Sequence, residues 1–439
     1  MPFIPHTDTE RAAMLERIGV TSVEDLFEDI PAHLRIKKLD LPKGLPEQEA
    51  LVENDRLASG NLSADKMAWF LGAGAYWTYI PAMVPMLASR GEFLTAYTPY
   101  QPEVSQGTLQ AIFEYQSMAS KLLGVPVVNA SHYDGATALA EAVLMAWKAK
   151  EGRNKVLLPQ DLHPDYASVI RTYLTSFDVE LASYAGDPAE AEYDESIACI
   201  VVAYPAFSGE IYPVAPAAAR AHEHGALCIV HTDPSMCAIM KSPGEQGADI
   251  VTAEGQSLGN PLNFGGPYLG MMGVTDALVR RMPGRLVGQT VDKTGKRGFV
   301  LTLSTREQHI RREKAVSNIC SNQGLAMLQT CIYLAALGKH GLRRVARLSY
   351  DRAHYAADLI ARIPGYRILN RRFYREFLVE TPIPAEQIFS RLLERKIVAG
   401  LPMSRLYPER EHQLLIAVTD TSTRAQIEKL VAALEEVRS

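Results

Sequence analysis

The sequence predicts an α/β protein in which a large domain built on a parallel or mixed sheet precedes a small C-terminal α+β domain. Three observations carry this. From about Asn129 onward, short β-branched runs ("KVLLP", "ACIVVAYP", "LCIVHTD") alternate with longer helical stretches, which is the pattern of a parallel sheet covered on both faces. A long helical region follows, "TREQHIRREKAVSNICSNQGLAMLQTCIYLAALG" and "HGLRRVARLSYDRAHYAADLIARI". The remainder repeats a simpler order: strand "EFLVE", helix "PAEQIFSRLLERKI", strand "QLLIAVTD" and helix "TRAQIEKLVAALEEV".

Taken in order, the chain opens with an arm. "DTERAAMLERIG" reads as a short amphipathic helix, "SVEDLFEDI" as a second one capped by Ser22, and "PAHLRIKKLDLPKGLPE" as a Pro- and Lys-rich connector. Such an arm can wrap a partner or pack on its own body. In the large domain, "HPDYASVIRTYLTSF" and "PVAPAAARAHEHG" are the helices between strands, and "VELASY" and "DIVTA" complete the strand set. Right-handed crossovers place ligands at the C-terminal ends of such strands. In the last helix Ile427, Leu430, Val431 and Leu434 fall at i, i+3, i+4 and i+7, and Thr423 with Gln426 can form a capping box. The expected division is an arm over 1–61, a large domain over 62–335 and a small domain over 336–439, with one covered sheet face in the last.

Composition bounds the function classes. The 439 residues are 47% hydrophobic and 22% charged with net charge −5, so nothing global recommends a nucleic-acid or anionic-membrane partner. Five cysteines without CxxC spacing lie mostly in apolar runs, as reduced buried thiols do in a reducing compartment. With no apolar leader and no membrane-length run, a cytoplasmic location is expected.

Several segments can carry chemistry. Asp233 ends the strand "LCIVHTD", where a carboxylate can pair with a cationic ring nitrogen or simply cap the next helix. Ser131, Asp134, Gly135 and Thr137 form a small polar turn before an Ala-rich helix, suited to a phosphate or to plain N-capping. "YTPYQPE" holds Tyr97, Thr98, Tyr100, Gln101 and Glu103 on a proline-stiffened loop that suits stacking on a ring or gripping a small amino acid, or is only a rigid surface loop. "TREQHIRREK" clusters Arg306, His309, Arg311, Arg312 and Lys314; read as a helix it spreads these cations over more than one face. There they are solvated beside Glu307 and Glu313, or reach a carboxylate or an acidic partner. His222 and His224 sit at a helix end, where capping suffices, and no metal site is expected.

Together "YTPYQPEVSQG", "EGQSLGNPLNFGGPYLG", "RRMPGRLVG" and "STREQHIRREKAVSNICSNQ" resemble the P-protein family of the glycine cleavage system, the pyridoxal-phosphate glycine decarboxylases; "IGVTSVEDLFEDIP" is similar to the family's N-terminus. The resemblance covers nearly the whole chain and is densest from Trp69 to Gln323. It implies the aminotransferase-type (fold type I) architecture, and it is to the N-terminal half of the long two-half enzymes, or to the alpha subunit where the enzyme is split. From Ser242 through Asp292 there is no lysine. The cofactor lysine of the homologous subunit falls at about Gln256 or Ser257, neither of which can bond the cofactor aldehyde. Neither Lys241 nor Lys293 is an evident substitute.

The resemblance therefore implies that a lysine-bearing beta subunit brings pyridoxal phosphate, glycine loses carbon dioxide, and the aminomethyl group passes to the lipoyl disulfide of H-protein. The assembly is expected to be an α2β2 heterotetramer. Tyr97, Thr98, Tyr100, Gln101 and Glu103 would line a pocket shared between subunits, and Arg306, His309 and Arg311 would meet the substrate carboxylate or H-protein. Asp233, Gln256 and Ser257 would mark a degenerate pocket that holds no cofactor of its own, with Asp233 structural. The alternative is a scaffold or regulatory subunit with no residue in the chemistry.

Overall fold

The computed structural model describes residues 5–36, 38–96, 98–315, 317–319 and 323–437. Two compact units are formed, Met1–Leu62 and Ser63–Ser439. In the first, helix Asp8–Ile18 starts at a capping box of Thr7 and Glu10 and stops at Gly19, which adopts φ 90°. The "SVEDLF" segment forms a 3₁₀ turn over Val23–Phe27, and the connector gives way to a further helix over Glu47–Ser59. That helix was not anticipated; Pro46 at its N-cap and the run "EQEALVENDRLAS" after it are its local signal.

The second unit is organised by a seven-stranded sheet. Its strands are β1 (Val127–Val128), β2 (Lys155–Pro159), β3 (Glu180–Tyr184), β4 (Ile197–Tyr204), β5 (Leu227–Thr232), β6 (Ile250–Glu254) and β7 (Gly270–Val274), in the order β1-β7-β6-β5-β4-β2-β3. All neighbours are parallel except β7, which runs antiparallel to both β6 and β1. Every residue of β4 is buried, because period-2 alternation sends Ile200 and Val202 into one helical layer and Cys199 and Val201 into the other. The first layer includes helix α1 (Gln106–Leu123), and the second includes α2 (Gly135–Ala149) and α3 (Pro164–Leu174).

A hairpin, β8 (Leu286–Val291) with β9 (Arg297–Thr302), lies against α1. The smaller sheet orders β10 (Arg367–Ile368), β11 (Glu376–Glu380), β13 (Gln413–Ala417) and β12 (Leu401–Pro402), all antiparallel. Ile388 and Leu392, with Ile427, Leu430 and Leu434, cover one face, and Thr423 and Gln426 cap each other. The other face is also covered in part, since Leu378 and Leu415 cluster with Met403 and with Phe207 from the large sheet's side.

One long helical expectation is corrected. Thr305 does not begin a continuous helix: Ser304–Arg306, Gln308–Arg311 and Arg312–Lys314 are separate short turns, with Leu303 and Arg312 at φ 54° and 52°. The real helix, α4 (Gly324–Ile360), starts later and bends at Gly338. Gly338 leaves helical geometry there (φ 59°, ψ −174°); Ala326 to Ala346 pack on the large core and Ala353 to Ile360 on the small one. Among the described residues no helix is long and apolar enough to cross a membrane.

Candidate functional site

The C-terminal ends of β4, β5 and β6 open into a pocket lined by Tyr76, His163, Tyr166, His231, Asp233, Glu254 and Arg375. Asp233 is held there by an ion pair with Arg375, the residue before β11, at 2.6 Å. The two side chains are only 7% and 3% exposed. The other oxygen of Asp233 accepts from the Ser235 backbone and hydroxyl at 3.0 and 2.7 Å, so the carboxylate pairs and caps at once. The Arg375 guanidinium in turn lies 3.6 Å from the Tyr76 ring centre. Tyr76 donates to Glu376 at 2.8 Å, and Glu376 also accepts from the Ala73 backbone at 2.6 Å. A wall of the pocket is thus cross-tied to the small sheet.

At the end of β6, Glu254 reaches the start of α2. Its Oε2 accepts the Gly135 N–H at 2.8 Å, and its Oε1 accepts Gln256 N–H and Leu269 N–H at 2.9 and 3.1 Å. Asp134 caps the same helix through Thr137 N–H at 2.8 Å. The helix start that could have cradled a phosphate is therefore occupied by the chain's own carboxylate. Gly135 is required there, because a Cβ would fall 2.8 Å from the Tyr166 hydroxyl and 2.9 Å from the Glu254 Cβ. Burial pushes the Glu254 carboxyl up to about 7, against the three N–H bonds that pull it down.

Since the folded value is raised, the stability Glu254 contributes is full below its free value of 4.5 and is lost as pH rises through about 7. Glu254→Gln is expected to flatten this part of the stability profile between pH 5 and 8, read by urea unfolding at each pH. An unchanged profile would refute the assignment.

The two positions expected from the resemblance to stand for a cofactor lysine make structural contacts. Gln256, buried, accepts the Tyr76 N–H at 2.8 Å and donates to the carbonyls of Tyr76 and Asn260 at 3.1 and 2.8 Å. Ser257 is buried, and its carbonyl accepts from Thr78 at 3.5 Å. Among the described residues no lysine lines the pocket, whose cavity of about 80 Å³ has room for only a handful of water-sized molecules. These residues do not fit pyridoxal phosphate: the amine is missing, a carboxylate takes the anion position, and Asp233 is already neutralised by Arg375.

A second constellation gathers around Tyr100. Tyr97 lies outside the described residues. Thr98, Gln101 and Glu103 are exposed on a loop closed by Thr98 O accepting Tyr100 N–H at 2.9 Å and Gln101 O accepting Ser105 N–H at 3.0 Å. Arg285, in the "RRMPGRLVG" motif, stacks on the Tyr100 ring at 4.3 Å and pairs with Glu307 at 3.2 Å. His309 approaches the same Glu307 oxygen at 3.7 Å. Arg306 spends its guanidinium on the carbonyls of Leu303 and Gly284, each at 3.0 Å, and of Met282. This is why the segment is not a helix: Arg306 and Glu307 point into tertiary contacts that a continuous helix could not serve together.

Of the residues anticipated here, the structure brings Tyr100 and His309 to one ion pair, leaves Arg311 exposed and turns Arg306 inward. A cavity of about 260 Å³ opens beside the loop, lined by Phe93, Leu94, Pro99, Tyr100, Ser131 and Leu325.

Residues 1–434 match the family model described as glycine cleavage system P-protein. A "probable glycine dehydrogenase (decarboxylating) subunit 1" of Thermomicrobium roseum is 49% identical over 99% of both chains. One of the same description from Rhodospirillum centenum is 49% identical over 100% of both. Among solved structures, an inhibitor-bound glycine decarboxylase (P-protein) of the glycine cleavage system is 44% identical over the full length of both chains, with TM-score 0.92. A sphingosine-1-phosphate lyase of Burkholderia pseudomallei, 15% identical over 92% of this chain and 93% of its own with TM-score 0.65, shares the fold alone. The architecture is that of the fold type I, pyridoxal-phosphate-dependent enzymes, and with 434 of its residues matched the chain belongs to the glycine cleavage system P-protein family.

Proposed function

We propose that this chain is subunit 1 of glycine dehydrogenase (decarboxylating), the glycine decarboxylase of the glycine cleavage system. It works in the cytoplasm, in an α2β2 assembly with a homologous subunit that carries the lysine and pyridoxal phosphate. The observation that carries this reading is the self-filled pocket at the strand ends, where Asp233 is paired with Arg375 and Glu254 occupies the start of α2. A chain built this way contributes from another face. The Tyr100 loop stands beside an open cavity, and the segments flanking it in sequence expose Tyr79, Met83, Met86, Leu94 and Val104, apolar surface of the kind that marks a subunit contact.

In this reading the partner's cofactor supplies the electron-withdrawing ring that makes loss of carbon dioxide from glycine feasible. Tyr100 offers a rigid ring against which the shared pocket packs and excludes water, while Thr98, Gln101 and Glu103 offer hydrogen-bonding groups to the bound amino acid. The aminomethyl carbon then bonds one sulfur of the lipoyl disulfide of H-protein and the other sulfur takes a proton, so the disulfide is reduced as carbon is oxidised. His309 and Arg311, exposed near this loop's ion pair or on the same segment, are the groups proposed to meet the substrate carboxylate or H-protein, with Arg306 holding their segment in place.

The chain purified alone is expected to catalyse no glycine-dependent carbon dioxide exchange, and activity is expected on mixing with the lysine-bearing subunit. Tyr100→Ala should then lower turnover about 10- to 100-fold with assembly intact, the scale of loss when a positioning contact is removed. Wild-type turnover in that variant complex would make the subunit a scaffold, and full activity of the chain alone would overturn the reading altogether.

A further inference from the structure

Two short segments of the Tyr100 constellation each send an arginine into the other. From residues 282–285, Arg285 pairs with Glu307 at 3.2 Å; from residues 303–307, Arg306 donates to the carbonyls of Gly284, at 3.0 Å, and Met282. The Arg285 and Glu307 side chains are 15% and 8% exposed, so this is a buried pair, and such pairs add little stability over apolar residues of the same size. What a buried pair specifies is geometry. Here the Arg285 guanidinium also lies 4.3 Å from the Tyr100 ring centre, the Arg285 carbonyl accepts the Ala130 N–H at 2.9 Å, and His309 approaches the same Glu307 oxygen at 3.7 Å.

The base of this arrangement is rigid. Immediately after Arg285, Gln116 of α1 clamps Val287 by both backbone groups, at 3.0 and 2.9 Å. Gln106 of the same helix clamps Phe299 across the hairpin, at 2.8 and 2.9 Å. The Tyr100 loop leads directly into α1, so the loop and its arginine are anchored to one helix at two levels. Gly284 allows the close turn: its φ is 79°, and a Cβ would fall 2.7 Å from the Asn129 amide.

We infer that Arg285 and Glu307 are positioning residues for the glycine decarboxylase reaction, a clasp that sets the Tyr100 ring and the His309 segment in fixed register at the shared site. This rests on the proposed role of Tyr100. The clasp acts through Tyr100 and His309, so it changes how fast bound glycine reacts more than how well glycine binds.

The test uses the complete complex with the lysine-bearing subunit. Arg285→Met with Glu307→Met replaces the pair by apolar side chains of similar length, and Glu307→Gln is the milder variant in case the double change fails to fold. Both are expected to assemble and to melt near the wild-type temperature while kcat falls about 10- to 100-fold at little changed KM for glycine. Because the clasp works through Tyr100 and His309, adding Arg285→Met/Glu307→Met to a Tyr100→Ala/His309→Ala complex should cost no further turnover. Wild-type kcat in the folded variants, or losses that multiply in the combination, would overturn the clasp while leaving Tyr100 in place. An unimpaired Tyr100→Ala complex would overturn the shared-site reading and the clasp with it.

Discussion

Arg375→Met is expected to lower the unfolding free energy of the chain by about 3–5 kcal/mol, the cost of leaving one member of a buried ion pair without its partner. Asp233 is only 7% exposed, so water cannot readily replace the guanidinium. The loss should extend beyond the pair, because Arg375 also packs on Tyr76, which Gln256 and Glu376 hold over the pocket. Urea unfolding of the variant measures the change. Adding Asp233→Asn removes the stranded charge and should recover a large part of the deficit, whereas equal destabilisation in the single and double variants would mean that packing, and not charge, dominates.

Glu254→Ala has an expected effect of similar size. Three backbone N–H groups, those of Gly135, Gln256 and Leu269, lose their acceptor, at about 1–3 kcal/mol for each one left dry. Water admitted to the new space offsets part of this, so a loss of about 3–5 kcal/mol is the expectation. The same change bares the start of α2, a 15-residue helix whose dipole and free N–H groups suit an anion. Inorganic phosphate should therefore raise the melting temperature of Glu254→Ala and leave the wild type unmoved. If phosphate raises both equally, Glu254 is not what keeps an anion from that position.

Much of this architecture is legible in local pattern. The fully buried strand "IACIVVAY" and its neighbours announce a parallel sheet because a strand covered on both faces has no polar alternation to hide it. Asp233 stands out as a carboxylate at a strand end. Glu254 carries the same signal, yet reading the strand as "DIVTA" stops one residue short of it. Arg375 has no such signal, since its role depends on the small sheet delivering it to the end of β5. The stretch from Thr305 is the instructive failure: its residues favour a helix, but Arg306 and Glu307 gain more from the turn at 282–285 than helical propensity of a few tenths of a kcal/mol per residue can offset.

By itself, the sequence determined the family, the fold class and the absence of a lysine between Ser242 and Asp292, because motifs and periodicity are local properties of the chain. Only the tertiary structure decided how the strand-end pocket is filled: Gln256 locked onto the backbone of Tyr76, Glu254 on the start of α2, and Arg375 against Asp233. It likewise decided that Tyr100 and His309 meet through Arg285 and Glu307. The physical reason is that buried polar groups must find partners wherever the fold puts them, and those partners lie on segments far apart along the chain.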